Sequence, residues 1–183
     1  MYKKEKAELQ EGTMDLRAFV RDIPDWPKEG VIFKDITPLL GNSQSFKYAI
    51  DMIADHFKDR EIDAVLGAEA RGFILASALA YKLGCGFIPA RKPGKLPYNT
   101  LRAEYELEYG LDSLEMHEDA VKPNEKILVV DDVIATGGTA AAKVQLVEQL
   151  GGVVAGIAFL IELSFLNGRS KLSDYEIFSL ITY

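Results

Sequence analysis

Ile127-Leu128-Val129-Val130-Asp131-Asp132-Val133-Ile134-Ala135-Thr136-Gly137-Gly138-Thr139 opens on four apolar, mostly β-branched residues, passes two acids and ends in a Thr/Gly loop. The apolar run predicts a strand over 127–130, and helix periodicity follows from about Ala140 to Leu150. Val153 to Leu163 is almost continuously apolar, the pattern of a parallel strand covered by helices on both faces.

The same alternation extends upstream. Phe46, Ala49, Ile50, Ile53 and Phe57 recur at three- and four-residue steps behind the capping candidates Asn42 and Ser43. A strand is expected at Ile62 to Leu66, then an alanine-rich helix from Gly72 to Leu83 closed by Gly84, where a left-handed residue is wanted. Phe87 to Ala90 reads as the next strand. Strands alternating with helices predict an α/β fold with a doubly wound, mostly parallel sheet flanked by helices, independently of any motif.

Two segments fall outside this pattern. Residues 103–116 alternate Glu104, Glu106 and Glu108 with Tyr105, Leu107 and Tyr109, then pass Gly110 into Leu111 to Met116; this is a hairpin, either an edge ribbon or a mobile flap. The stretch holding Pro24, Pro27, Gly30 and Pro38 is too rich in turn residues for a regular helix or a central strand. An amphipathic pattern begins only at Leu16, Phe19, Val20 and Ile23, so residues 1–13 are expected to be a disordered, dispensable extension and 14–183 a single domain.

Composition bounds the function. The chain has 183 residues, 21 basic and 28 acidic, for a net charge of −7, and a pI near 4.9. Such a surface repels a phosphate backbone, so no nucleic-acid partner is expected and a polyanionic ligand needs a local basic pocket. A chain of this length buries about 70% of its unfolded surface and needs no staple. Cys85 is the single cysteine, set among apolar neighbours, which points to a reducing, cytoplasmic setting and a buried packing role. No stretch of 18 apolar residues suggests a membrane partner. His56 and His117 lack partners at metal-ligand spacing and read as surface residues, so no protein metal site is expected.

Chemistry concentrates in the opening stretch. Gly137 and Gly138 let backbone N–H groups turn toward an anion, Thr136 and Thr139 add hydroxyls, and the following helix contributes its N-terminal dipole, which suits a phosphate monoester. Asp131 and Asp132 lie where open α/β sheets bind ligands and suit ribose hydroxyls or hydrated Mg²⁺. There is no G-x-x-x-x-G-K-[ST] or G-x-G-x-x-G motif. Arg71 follows the first strand of the sheet. Arg91, Lys92 and Lys95 put three cations within five residues, a plausible diphosphate clamp.

The 127–139 stretch resembles the phosphoribosyl pyrophosphate (PRPP) signature of the type I phosphoribosyltransferases. Further blocks, in the same order, resemble the adenine phosphoribosyltransferases: Gly30 to Pro38, Glu69-Ala70-Arg71-Gly72-Phe73, Arg91-Lys92-Pro93-Gly94-Lys95-Leu96-Pro97 and Tyr105-Glu106-Leu107-Glu108-Tyr109-Gly110. The resemblance covers most of the chain from about residue 15. It implies the type I fold with a small hood and a flexible β-hairpin flap, adenine and PRPP as substrates, AMP and diphosphate as products, Mg²⁺ carried mainly by PRPP, and a homodimer.

Residue roles follow from the resemblance alone. Arg71, Arg91, Lys92, Lys95, Asp131, Asp132, Ala135, Thr136, Gly137, Gly138 and Thr139 would bind PRPP or AMP, with Lys95 on a loop that can come from the other subunit. Phe33 and Leu163 would stack on adenine, and main-chain groups of Ile32 and Lys34 would read its edge. Chemistry by itself leaves Phe33 as readily a core or cap residue. Lys34 stands where some members carry arginine. Spacing does not choose among the three glutamates; the resemblance selects Glu108 as the carboxylate beside the base, catalytic with Arg71 and Lys95, and Tyr109 as closing the flap. Two rivals share the phosphate loop, a transferase for 6-oxopurines and a PRPP-sensing transcription regulator.

Overall fold

The computed structural model describes residues 14–107 and 110–183, and the side chains of all of these but 106, 107 and 110. The extension expected over 1–13 and the flap residues Glu108 and Tyr109 lie outside the described residues. The described chain falls into two compact units, one ending at Tyr48 and the other running from Ala49 to Tyr183.

In the first unit the amphipathic pattern at Leu16 does not make an α-helix. Leu16–Phe19 is a single 3₁₀ turn capped by Asp15, whose side chain accepts the Arg17 N–H. Strand β1 (Arg21–Pro24) then pairs antiparallel with β2 (Ile32–Asp35). A two-stranded ribbon tolerates Pro24 because it has no central strand. Pro38 sits in the first turn of the short α1 (Thr37–Gly41), where a missing N–H costs nothing. Asn42 accepts from the Gln44 and Ser45 N–H groups at the head of α2 (Ser43–Phe57), the cap expected from sequence.

The second unit continues with β3 (Ala64–Ala68), α3 (Arg71–Leu83), β4 (Gly86–Ala90), the hairpin β5 (Thr100–Leu107) and β6 (Gly110–His117), β7 (Lys126–Ile134), α4 (Gly138–Gln149), β8 (Val153–Glu162) and β9 (Ile177–Thr182). Strands β4-β3-β7-β8-β9, in that order, form one parallel sheet. The chain moves from β3 outward to β4 in one direction and from β7 to β8 in the other. The order therefore reverses between β3 and β7, and the crevice at their carboxyl ends is the natural ligand position of such a sheet.

Sequence patterns account for most of these elements. Gly84 takes a left-handed φ of 72° and closes α3. Every residue of β3 is buried, as is nearly all of β7, so neither alternates. Close packing demands glycine at Gly67, where a Cβ would stand 2.6 Å from that of Ala76 and drive α3 off the sheet. Strand β9 carries no expectation from the sequence reading, which stops at Leu163, although Ile177-Phe178-Ser179-Leu180-Ile181-Thr182 is rich in β-formers.

The hairpin forms a separate sheet whose base is anchored. Ala103, Tyr105, Leu114 and Met116 are buried and belong to the same apolar cluster as Leu66, Val129, Leu146 and Phe159. Thus the ribbon is part of the core at its base, which the alternating pattern left open.

Histidines and cysteine depart in part from expectation. His56 is exposed, as expected, hydrogen-bonded to Glu176 at 2.8 Å and stacked on Phe178. His117 is not a plain surface residue, because its Nε2 is enclosed without a hydrogen-bond partner and its ring meets Tyr98 edge-on. Cys85 is half-buried, and burial pushes its thiol pKa up, which keeps it protonated.

Candidate functional site

Residues 135–137 join β7 to α4 at the reversal of strand order. Gly137 adopts φ 80° and precedes the helix with no side-chain cap, so the first-turn N–H groups are left for an anion. Around them lies a cavity of about 160 Å³ lined by Asp131, Val133, Ile134, Ala135, Thr136, Gly137, Gly138, Thr139, Ala140 and Phe159. All five loop residues expected from the sequence line this one space.

The loop rests on a residue that sequence reading missed. A Cβ on Gly168 would stand 2.9 Å from the Gly137 nitrogen, and one on Gly137 would strike the Gly168 carbonyl. Two glycines back to back are what let the 3₁₀ turn Gly168–Leu172 support the loop. That turn is tied down by Arg169, which donates to both oxygens of Glu162 at 2.7 and 2.6 Å, and holds the Glu162 carboxyl below its usual range. Glu162 ends β8, so the same fork places Leu163, which is half-buried and donates its N–H to Ile134. Asn167-Gly168 was the available signal, an ordinary turn dipeptide.

Asp131 and Asp132 are buried within the last turns of β7. Successive strand residues point apart, and the two carboxylates find different partners. Asp131 accepts from Lys143 Nζ at 2.7 Å and from the Asp132 N–H at 3.0 Å. Asp132 Oδ2 lies 2.8 Å from Arg71 Nε as an ion pair, without hydrogen-bond alignment. Burial, and then the Asp131 charge, push the Asp132 carboxyl up to about 7 despite Arg71. Neither acid is solvated, a point the strand pattern did not decide.

Arg91, Lys92 and Lys95 are organised by an acid. Arg91 Nη2 donates to Glu69 Oε2 at 3.0 Å, the Lys92 N–H donates to Glu69 Oε1 at 2.5 Å, and Lys95 Nζ lies 3.8 Å away. Burial favours the neutral Glu69, but the Lys92 N–H and the Arg91 and Lys95 charges outweigh it and hold the carboxyl below its usual range. Lys92 Nζ pairs with Asp112 on the hairpin and donates to the Tyr105 hydroxyl oxygen at 3.0 Å. The basic loop is thus held in shape by Glu69 and Asp112, neither of which its spacing reveals. Glu69 follows β3 directly, its N–H donating to the Ala90 carbonyl, and Arg71 opens α3.

In the first unit Phe33 is half-buried, with Trp26 edge-on at 4.4 Å between centroids. Ile32 is 55% exposed. The Lys34 ammonium is bound to Asp22 at 2.7 Å, which gives its side chain a structural partner within the ribbon.

Among the described residues no group of three or more His, Cys, Asp or Glu could hold a metal ion. Two adjacent carboxylates, one with an enclosed oxygen, nevertheless suit a hydrated Mg²⁺ that arrives on phosphate oxygens and keeps several waters.

Known proteins resemble this chain over most of its length. Residues 36–182 match the phosphoribosyl transferase domain family. The adenine phosphoribosyltransferase of Thermotoga neapolitana is 58% identical over 170 residues, 93% of this chain and all of the relative. The crystal structure of adenine phosphoribosyltransferase from Thermoanaerobacter pseudethanolicus is similar with a TM-score of 0.90 and 54% identity, covering 92% of this chain and 98% of that one. The Saccharomyces cerevisiae enzyme, solved with an imino-altritol bisphosphate and adenine, gives a TM-score of 0.85 at 41% identity, covering 90% of this chain and 96% of that one.

Proposed function

The chain belongs to the adenine phosphoribosyltransferase family, and from that premise we propose that it transfers the 5-phosphoribosyl group of PRPP to adenine, giving AMP and diphosphate for purine salvage. The observation that carries the reading is the cavity of the 135–139 loop, lined also by buried Asp131, with buried Asp132 next to it in the strand, at the reversal point of the sheet. A phosphate monoester enters the loop, and the acids beside it take the ribose hydroxyls.

The reaction breaks the bond from C1′ to the diphosphate oxygen, whose electron pair leaves with diphosphate. Adenine N9 supplies the pair for the new C1′–N9 bond on the opposite face, and its proton goes to a base. The protein's task is positioning and charge. Arg71, Arg91, Lys92 and Lys95 stabilise the departing diphosphate, with Glu69 holding the loop for them. Glu108 assists proton transfer at the base and Tyr109 closes the flap. Ile32, Phe33 and Lys34 take adenine, as does Leu163, roles that rest on the family. Bound through PRPP, Mg²⁺ would neutralise charge on the diphosphate, its hydration shell oriented by Asp131 and Asp132 with no direct ligand from this chain. Residues 14–183 act as the phosphoribosyltransferase domain, in the cytoplasm.

Competition among bases tests the reading. With PRPP and Mg²⁺, adenine is expected to yield AMP at least about 100-fold faster than guanine, hypoxanthine or xanthine react, since a 6-oxo group reverses the hydrogen-bonding pattern read at position 6. Turnover of a 6-oxopurine without adenine turnover would reassign the substrate.

We also propose a homodimer. Tyr81 is 92% exposed and Ile74, two turns earlier on α3, is exposed as well, while on the edge strand β4 Phe87 is exposed with Phe73 packed edge-on to it. An apolar surface of this kind calls for a protein partner. Sedimentation at micromolar concentration is expected to give twice the 20.3 kDa chain mass; a monomer would refute the dimer.

A further inference from the structure

Lys143 is a fully buried charged residue on α4, whose other buried positions are Gly138, Ala140, Ala142, Val144, Leu146 and Val147. Packing against the sheet would be served there by an apolar side chain. Taking an ammonium out of water costs several kcal/mol unless its partners are well placed. Lys143 has two partners, the Val130 carbonyl at 3.0 Å and Asp131 Oδ2 at 2.7 Å. Both belong to β7 at the entrance to the phosphate loop.

The pairing determines what Asp131 can do. Its Oδ1 accepts the Asp132 N–H and its Oδ2 accepts Lys143, so the carboxylate is held from two sides in one orientation. Asp131 lines the phosphate cavity, whereas Lys143 does not. Charge points the same way. Two adjacent buried carboxylates repel each other, and Lys143 and Arg71 each pair with one of them. Without Lys143, one cation would face two acids and the Asp131 Oδ2 would lose the partner that fixes it.

We propose that Lys143 is a positioning residue for PRPP, locking Asp131 as an oriented carboxylate toward the ribose hydroxyls without touching substrate. The inference rests on the reading of Asp131 as a ribose ligand. A merely structural lysine would support α4 and leave substrate affinity alone.

The test measures PRPP affinity by titration calorimetry with Mg²⁺ and steady-state constants for both substrates, in wild type, Lys143→Met, Asp131→Asn and the double variant. Methionine matches the length and removes the charge. Lys143→Met is expected to weaken PRPP binding, and raise its KM, by about 10- to 100-fold, the range of one charged hydrogen bond, with the KM for adenine within about twofold. On the Asp131→Asn background the same substitution should add less than about threefold, because its effect passes through Asp131. Lys143→Gln, which keeps an N–H donor, should lose less affinity than methionine, and it serves as the probe if the methionine variant does not fold. Unchanged PRPP affinity in a folded variant, or losses that multiply in the double variant, would overturn the inference even where the melting temperature falls. A wild type that binds PRPP but makes no AMP would fail the reaction and leave this comparison standing; one that binds no PRPP would overturn both.

Discussion

Replacing Asp132 with asparagine is expected to cut AMP formation by about 10²- to 10⁴-fold while making the folded protein more stable at pH 8. The two effects share one cause. Asp132 is buried beside Asp131, and its carboxyl is pushed up to about 7 in the folded chain, against about 3.9 when unfolded. Below about pH 3 both states hold the proton and wild type keeps its full stability. Between about 4 and 7 the unfolded chain ionises while the folded one stays protonated, so stability falls as pH rises, and above about 7 the loss is complete.

Asparagine mimics the protonated acid at every pH and removes that loss. Melting curves of the substrate-free proteins should nearly coincide near pH 3, and at pH 8 the variant should be ahead by roughly 1–4 kcal/mol. Activity falls because the ionised carboxylate is what a ribose hydroxyl and the developing charge at C1′ require. A variant less stable than wild type at pH 8, or one whose AMP formation stays within tenfold, would contradict this account.

Gly137→Ala should nearly abolish PRPP binding, by about 100-fold or more, and cost roughly 2–5 kcal/mol of stability. The φ of 80° penalises any Cβ, and this Cβ would also drive into the Gly168 carbonyl. Relief requires the loop to leave Gly168 or the backbone to rotate, and either displaces the N–H groups aimed at the phosphate. Gly151→Ala is the control, since it has the same φ of 80° but only ordinary contacts with Pro123 at 3.6 Å and beyond. Its cost should be about 1–2 kcal/mol in urea unfolding with unchanged PRPP affinity. Equal loss of PRPP affinity in both variants would show that backbone strain alone governs the loop.

Much of the architecture was legible because it is local. The apolar runs at 127–130 and 153–163, the periodicity of 46–57 and the glycine after Leu83 each encode one element through side-chain spacing. Their alternation implies a parallel sheet, since crossover helices must cover both faces. The Thr/Gly loop was legible for the same reason: its chemistry lies within five consecutive residues. Strand β9 and the 3₁₀ turn at Leu16 escaped, the first for want of a motif and the second because a short amphipathic pattern does not reveal whether a helix will continue.

What the sequence by itself determined was the alternation of elements, the phosphate loop and its acids, and the order of blocks that marks the family. Tertiary structure alone decided that Lys143 meets Asp131, that Gly168 supports Gly137, that Glu69 gathers Arg91, Lys92 and Lys95, and that His117 is enclosed. The Gly168 and Glu69 joins span at least 22 positions, and Lys143 reaches Asp131 only because α4 folds back on the strand before it. A charge has no periodicity, so its burial and its partner come into being only when the elements pack, and with them the electrostatics on which the chemistry depends.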